Sequence, residues 1–440
     1  MAPPGPPSPA IADSMPSDIS SALPTAPLSS QPAEAGAGPN ARIAAGTPAF
    51  WATARAMFVG GFATFAMLYG LQPLMPMFSD EFALSPAAAS GVVSAATGAI
   101  ALMLIPASLL ADRLGRKPLM NAALFAAALL TLACGFAQSF SQLLVLRVLL
   151  GVVLSGLPAV AMAYLAEEID PLSLGRSMGL YIAGNGLGGL CGRLLVAAIA
   201  DWTSWRTALL VLGAIGMAAA IEFWRSLPAS RHFQPSRLST SMVLQGARRH
   251  FADAGMPWMF VIGFLMMGCF VSLYNYLGYR LAAPPFNLRP SLLGAVFSLY
   301  IVGMVGSAVV GRLADRFGRR HVLWIMICLM AAGLALTLAA SLIVVMLGIA
   351  LATFGFFGAH AVVSSWVGRR AQSARALASA LYLFFFYLGS SVLGSGSGLM
   401  WEIGQWPAVA ALLGFVVALS FAIALRLRRL APLPANIGRP

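Results

Sequence analysis

Charge is scarce in this chain. Only 9% of its 440 residues are Asp, Glu, Lys or Arg, and acids number just 14 and histidines 4. A soluble domain carries about a quarter charged residues, so one water-soluble core is excluded. With acids and histidines so thinly spread, no span shows paired carboxylates, a His-rich metal cluster or a nucleophile beside a base. The four cysteines, Cys134, Cys191, Cys269 and Cys328, are too far apart for a CxxC-type metal or redox motif. Each sits in an apolar run and is expected to be a small buried apolar residue. No GxxxxGK[ST] loop is present, which argues against direct ATP drive, and the Gly-rich run at 186–189 suits helix packing better than dinucleotide binding. The net charge of +13 comes without interleaved basic and aromatic residues on a polar stretch, so it is no nucleic-acid footprint. No catalytic residue, metal, cofactor or nucleic-acid partner is expected.

Apolar residues are what the chain has, at 59%. Residues 1–50 are the exception, a Pro/Ala/Ser/Gly segment too poor in apolar bulk to fold and without the basic start and apolar core of a signal peptide. From residue 56 the chain alternates between apolar runs and short polar breaks. A bilayer-spanning helix needs about 20 mostly apolar residues. Spans are expected near 56–78, 87–111, 118–138, 141–165, 175–199 and 205–227, then near 257–281, 291–314, 321–340, 342–367, 374–400 and 405–427. The predicted fold class is all-α and integral to the membrane, with twelve helices in two six-helix bundles. The predicted organisation is a tail at 1–50, bundles at 51–227 and 257–427, a linker at 228–256 and a second tail at 428–440.

A repeat supports that count. Residues 111–117 read Ala-Asp-Arg-Leu-Gly-Arg-Lys and residues 314–320 read Ala-Asp-Arg-Phe-Gly-Arg-Arg, 203 positions apart. Adding 203 to the first six spans lands on the second six, which implies a parallel duplication about an axis along the membrane normal. With the amino terminus inside, 22 of the 27 Lys and Arg fall on the cytoplasmic side; the exceptions are Arg147, Arg193, Arg206, Arg280 and Arg289. The positive-inside bias therefore puts both termini in the cytoplasm and the linker, with Arg231, Arg237, Arg248 and Arg249, along the inner surface.

The doubled turn resembles motif A of the major facilitator superfamily, G-x-L-A-D-R-x-G-R-K/R. The second copy, with Asp315, Arg316, Gly318, Arg319 and Arg320, matches throughout from Gly311; the first, with Asp112, Arg113, Gly115, Arg116 and Lys117, has Ser108 at the leading Gly. Arg147 and Gly151 are similar to motif B. Gly184, Gly188 and Gly192 resemble antiporter motif C, though Gly189 replaces its Pro and Arg193 its last Gly. The resemblance covers residues 56–427, and the stretch from Tyr164 to Arg193 looks like the YnfM-like branch of drug:proton antiporters. It implies a multi-pass bacterial inner-membrane protein working as a monomer, with membrane lipid, a small-molecule substrate and protons as partners. It also implies that Asp112 and Asp315 latch one conformation through a neighbouring helix's amino terminus; the plainer reading is a topology signal alone.

Intramembrane polar residues are the remaining candidates. Arg147 lies about two turns from the outer end of its helix, about 9 Å deep at 1.5 Å per residue; it either faces a cavity or partner or snorkels. The same choice holds for Arg193. Besides Arg147, the proton-coupling candidates are Glu222, a turn and a half from its helix's cytoplasmic end, and His360, the only His inside a span. An interfacial ion pair and a packed, hydrogen-bonded His are the competing readings. Gln72 plus 203 is Asn275, so the two amides lie at equal depth and either hold substrate or tie helices together. Tyr69, Tyr274 and Tyr276 lie around them and suit a large apolar ligand.

These residues are expected to make a secondary transporter for proton-coupled efflux of a small amphipathic compound, a multidrug-type antiporter. Uptake or facilitated movement of a polar or anionic metabolite is the alternative, which Arg147 and Arg193 would suit. A non-transporting membrane sensor is more remote, given the intact basic turns. The charge split sets a test. In a cysteine-free background, Cys at 116, 235 and 372 should react with impermeant thiol reagents only from the cytoplasm, and Cys at 203 or 286 only from outside; labelling of 372 from outside would reverse the orientation.

Overall fold

The computed structural model describes residues 42–233 and 240–430. Residues 1–41 of the expected first tail, most of the second, Arg237 and position 235 lie outside the described residues. Eleven helices are long and apolar enough to cross a membrane. In chain order these begin with α1 (Pro48–Phe82), α2 (Gly91–Leu114), α3 (Arg116–Cys134), α4 (Phe140–Glu168), α5 (Pro171–Trp202) and α6 (Trp205–Ser226). The linker helix Thr240–Ala252 follows. Then come α7 (Met256–Ala282), α8 (Pro290–Phe317), α9 (Arg319–Leu336), α10 (Leu342–Arg370) and a helical stretch from Arg375 to Arg428.

That last stretch is two passes. Its 54 residues would reach about 80 Å if straight, far more than a bilayer. Gly404 and Gln405 leave helical geometry, Gln405 at φ 51°. The chain doubles back there: Leu377 packs near Gly246 and Leu430 near Gly255, so both ends lie beside the linker helix. We call the two passes α11 (residues 375–403) and α12 (residues 406–428). With them the count is twelve. Among the described residues there is no strand, only an isolated bridge between Ile43 and Ile169.

Local chemistry sets the helix ends. Thr47, Ser139, Asp170 and Ser204 each accept a first-turn amide with their side chains, satisfying donors a helix start leaves free. α1 begins at Pro48, so residues 48–50 are helical and not tail. α2 and α3 are joined through Gly115 at φ 91°, and α8 and α9 through Gly318 at φ 87°. An L side chain is strained there, so the repeated turn needs its glycine both times.

Glycine also sets how closely α1 and α5 approach. A Cβ on Gly184 would lie 2.3 Å from the Phe58 carbonyl oxygen, one on Gly188 2.0 Å from that of Phe62, and one on Gly192 2.6 Å from the Ala66 Cα. α7 and α11 meet the same way at Gly389, 2.0 Å from the Phe264 carbonyl oxygen. Lipid tails are as apolar as leucine, so such backbone contact supplies the association that hydrophobic burial does not. Cys134 and Cys269 are buried, but Cys328 is exposed and Cys191 partly so. This corrects the expectation of four buried cysteines: an apolar helix face turned to lipid looks the same in sequence as one turned to protein.

At the linker's far end, Asp253 accepts from the Gly255 and Met256 amides at 2.8 Å and from Arg370 Nε at 2.6 Å. Partial burial pushes its carboxyl up, but the Arg370 and backbone hydrogen bonds outweigh this and hold it below the usual carboxylate range. Of the labelling positions, 203 and 372 are exposed, 286 is half-buried and 116 is buried.

The glycine seam yields a contrast. Gly188→Val should lower the melting temperature of the purified protein by several degrees, as overpacking costs about 1–3 kcal/mol. Gly179→Ala, on the same helix with nothing within 4 Å of its Cβ, should melt within a degree or two of wild type. Equal melting of the two variants would remove the seam's importance.

Candidate functional site

α1 does not run straight through. Its first segment stops at Tyr69, a single 3-10 turn follows at Gln72–Leu74, and helix resumes at Met75. Pro73 has no N–H to give, and the break leaves the Met67 and Leu68 carbonyls without their usual helical donors. Arg147, on α4, fills the gap. Its Nη1 donates to Met67 O at 2.8 Å, its Nη2 to Leu68 O, and its Nε to Val92 O of α2 at 2.6 Å. The side chain is 1% exposed. It neither snorkels nor faces a carboxylate; its planar fork caps a broken helix, as guanidinium geometry allows. Gly151, one turn further along α4, lets the Ala96 carbonyl approach to 2.2 Å of where a Cβ would sit.

Arg193 is also buried, at 3% exposure, so it does not snorkel either. Nε donates to Gln72 Oε1 at 2.8 Å and Nη1 to Gly189 O. Its guanidinium carbon stands 4.7 Å from the Tyr69 ring, 4.9 Å from Phe297 and 4.8 Å from Tyr300. Tyr69 belongs to the first bundle, Phe297 and Tyr300 to the second. A desolvated cation over such faces gains about 2 kcal/mol or more.

The equal-depth amides are in direct contact. Gln72 Nε2 donates to Asn275 Oδ1 at 2.7 Å, and Asn275 Nδ2 donates to Gly394 O at 3.4 Å. A polar chain therefore runs from α5 through α1 and α7 to α11. Tyr274 OH pairs with Thr353 at 2.8 Å and Tyr276 OH donates to Gly394 O at 2.8 Å, so both hydroxyls are spent on protein. Tyr69 OH and the Ser390 hydroxyl are buried and unpartnered. Ser390, like Asn185 of α5, escaped the sequence reading; an isolated polar residue within an apolar span was the available signal.

Every hydrogen bond between the bundles, among the described residues, falls away from the two basic turns. Besides the amides these are Ser79–Tyr279 at 2.7 Å, Ser90–Ser395 at 3.0 Å, Ser391 Oγ to Ser94 O at 2.8 Å and Ser395–Ser94 at 2.7 Å. The cavity beside Gln72, Pro73, Tyr274 and Phe297 measures about 20 Å³, room for about one water. Near the other end, Gly175, Gly179, Gly311 and Gly368 have nothing within 4 Å of a Cβ. The hydrogen bonds between bundles thus gather at the end away from the basic turns.

The basic turns lie at the end opposite these contacts. Asp112 pairs with Arg116 at 2.8 Å, and Arg116 with Glu167 at 2.9 Å. Lys117 donates to Leu227 O and Arg116 lies 5.2 Å from the Phe233 ring. Asp315 pairs with Arg319 at 2.6 Å and with Arg369 at 3.4 Å. Arg113 and Arg316 are exposed and Arg320 half-buried. Among the described residues neither Asp takes a hydrogen bond from a neighbouring helix's backbone amides; each is held by arginine side chains instead. Glu222 pairs with Arg55 at 2.7 Å and accepts from Ser226 at 2.6 Å. His360 Nδ1 is 2.9 Å from Tyr382 OH, and its ring lies 4.7 Å from that of Phe386. Among the described residues no group of three His, Cys, Asp or Glu is placed to hold a metal.

Comparison with known proteins agrees with this architecture. The sequence model described as Major Facilitator Superfamily matches residues 57–283 and 279–440. The chain is 43% identical over 392 residues to the uncharacterized MFS-type transporter YybF of Bacillus subtilis, covering 89% of this chain and 97% of that one. It is 41% identical over 391 residues to the inner membrane transport protein YnfM of Escherichia coli, covering 89% and 94%. Among solved structures, a bacterial homolog of the human lysosomal transporter Spinster, inward-facing and occupied, superposes with a TM-score of 0.73 at 16% identity, covering 88% of this chain and 100% of that one. A point mutant of the nucleoside transporter NupG gives 0.69 at 15% identity, covering 85% and 99%. Twelve passes in two bundles joined at one end, with a glycine turn repeated at 115 and 318, thus have the relatives their shape suggests: the chain is a transporter of the Major Facilitator Superfamily.

Proposed function

We propose that this transporter expels a small amphipathic compound from the bacterial cytoplasm in exchange for protons, rocking its two bundles about a central site. The observation that carries the reading is one-sided: polar contacts between bundles cluster at one end, and among the described residues no hydrogen bond joins the bundles at the basic turns. Alternating access needs that posture and its mirror. The positive-inside bias favours the basic turns as the cytoplasmic end, which supports reading this posture as inward-open and the termini as cytoplasmic.

The α1–α5 glycine seam at Gly184, Gly188 and Gly192 supports the exchange reading, because it is the contact the motif C-like spacing serves. His360 supports proton coupling. It is half-buried on α10, on the second bundle, with its Nδ1 2.9 Å from Tyr382 OH, a polar contact through which a proton can be handed on. Glu222 is bonded to Arg55 and Ser226 at the bundle's edge and suits an anchoring role better. Uptake of an anionic metabolite is the second reading, favoured by two buried arginines that no carboxylate pairs among the described residues.

Inverted membrane vesicles carrying the protein and an acid interior decide between them. An effluxed compound added outside should discharge the pH gradient, read as recovery of a quenched pH-sensitive dye. His360→Gln should abolish that recovery while leaving compound binding in place. Substrate movement with no proton movement would sink the coupling.

The basic turns set a second test. Asp112→Asn should cut transport severalfold with little change in substrate affinity, because Asp112 lies in the turn and not in the central site. Asp315→Asn should do the same more weakly, since Asp315 is 59% exposed against 7% for Asp112. Loss of affinity with an intact rate per bound ligand would contradict the latch role.

A further inference from the structure

Two hydroxyls in the middle of the protein have no hydrogen-bond partner beyond each other. Tyr69, on α1, is 3% exposed, and Ser390, on α11, is 0% exposed. The two come from opposite bundles and lie within reach of one another, but among the described residues no other group bonds to either, so between them at least one donor is left over. A buried donor left unmade is costly, and native interiors keep few. Sites where they persist are sites that something else completes.

The surrounding charge says what. The Arg193 guanidinium lies 4.7 Å from the Tyr69 ring, and Arg147 acts on the same hydroxyl from further off. No carboxylate pairs with either arginine among the described residues. The neighbours on the Arg193 side are aromatic faces and amides, which soften a buried cation without neutralising it. Tyr387 lies within electrostatic reach of Tyr69 and contributes another hydroxyl, not an acid. Beyond Tyr300 the second bundle is packed with aromatic rings: Phe270 stacks on Phe356 at 3.8 Å and meets Tyr300 at 5.3 Å.

We infer that Tyr69 and Ser390 form a subsite for the anionic head of the transported compound, with Arg193 and Arg147 supplying the positive field and the aromatic rings taking the apolar body. This rests on the proposed transport of an amphipathic compound and names its class: an aromatic or similarly broad carboxylate. Each bundle contributes one hydroxyl, so the ligand ties α1 to α11 and its binding is coupled to how the bundles sit. The carboxylate accepts two O–H hydrogen bonds, which are shorter and stronger when the acceptor is ionised. An amide of the same shape keeps the hydrogen bonds but forfeits the field, and an ammonium meets like charge.

The test uses the full chain, purified in detergent, and three probes of one shape at neutral pH: 2-naphthoate, 2-naphthamide and 2-naphthylmethylammonium. Binding is read by calorimetry and by thermal shift. Naphthoate is expected to bind at least tenfold more tightly than naphthamide, and the ammonium more weakly still. Tyr69→Phe and Ser390→Ala should each weaken naphthoate three- to tenfold while leaving the weaker naphthamide binding within twofold. Arg193→Gln should erase the preference for naphthoate; if that variant does not fold, the two hydroxyl variants still decide. Equal or tighter binding of the amide or ammonium, no binding of any probe, or full naphthoate affinity in Tyr69→Phe would each overturn the inference. The two readings fail separately. Proton-coupled movement of a neutral or cationic compound in vesicles would leave the transport reading standing and remove the anion subsite. Anion-selective binding with no proton movement would do the reverse.

Discussion

α1 stops at Tyr69 and restarts at Met75, and the carbonyls it frees at Met67 and Leu68 are taken by the Arg147 guanidinium. Much else depends on that substitution. In a bilayer no water reaches the interior to solvate bare backbone, so a helix can break only where the protein supplies the missing partners. Arginine is suited to this because its donors are rigid and numerous. The break in turn places Tyr69 and Gln72 where they reach Arg193, and from there the second bundle. A residue that looks in sequence like a site for a charged partner is, first of all, what permits α1 to be irregular at depth.

The two bundles share a plan but divide the labour unequally. Gly115 and Gly318 adopt nearly the same backbone angles, and both turns carry an Asp–Arg pair four residues apart. In the first bundle that pair is buried and extended by Glu167, with the start of the linker held through Lys117 and through Tyr164 OH to Pro228 O at 2.9 Å. In the second it is open, and the linker is held instead by Asp253 and Arg370. Duplication thus supplied two copies of a turn, and one acquired the packing.

Helix number, bundle organisation and the repeated turn were legible because they rest on local quantities: run length, hydropathy and a turn of seven residues repeated with five of them identical. Register arithmetic also led to Gln72 and Asn275, since equal depth in equivalent helices is a sequence property. What it left open was whether the amides face a ligand or each other, and that depends on the rotation of α1 and α7. Arg193 was harder. Its partners come from α1 and α8, some 120 and 100 residues away, and no spacing rule links them. Tyr69 was in view as one of several tyrosines, but that its hydroxyl alone among them goes unpaired is a property of packing. Ser390 lies in an ordinary run of small residues. The cysteines mark the converse limit: hydropathy says that a position avoids water, not whether it meets protein or lipid.

The serines between α2 and α11 differ in kind from the amides beside them. A serine hydroxyl in a helix can turn back to a carbonyl three or four residues earlier, and Ser90 already donates to Ala87 O at 2.7 Å while touching Ser395. When the bundles separate, Ser90, Ser94, Ser391 and Ser395 each have a local acceptor to return to, so this zip parts without stranding a polar group in hydrocarbon. Gln72 and Asn275 have no such retreat. The seam is therefore a row of reversible fasteners around a clasp that has no local acceptor to fall back on, the amide pair where α1 meets α7.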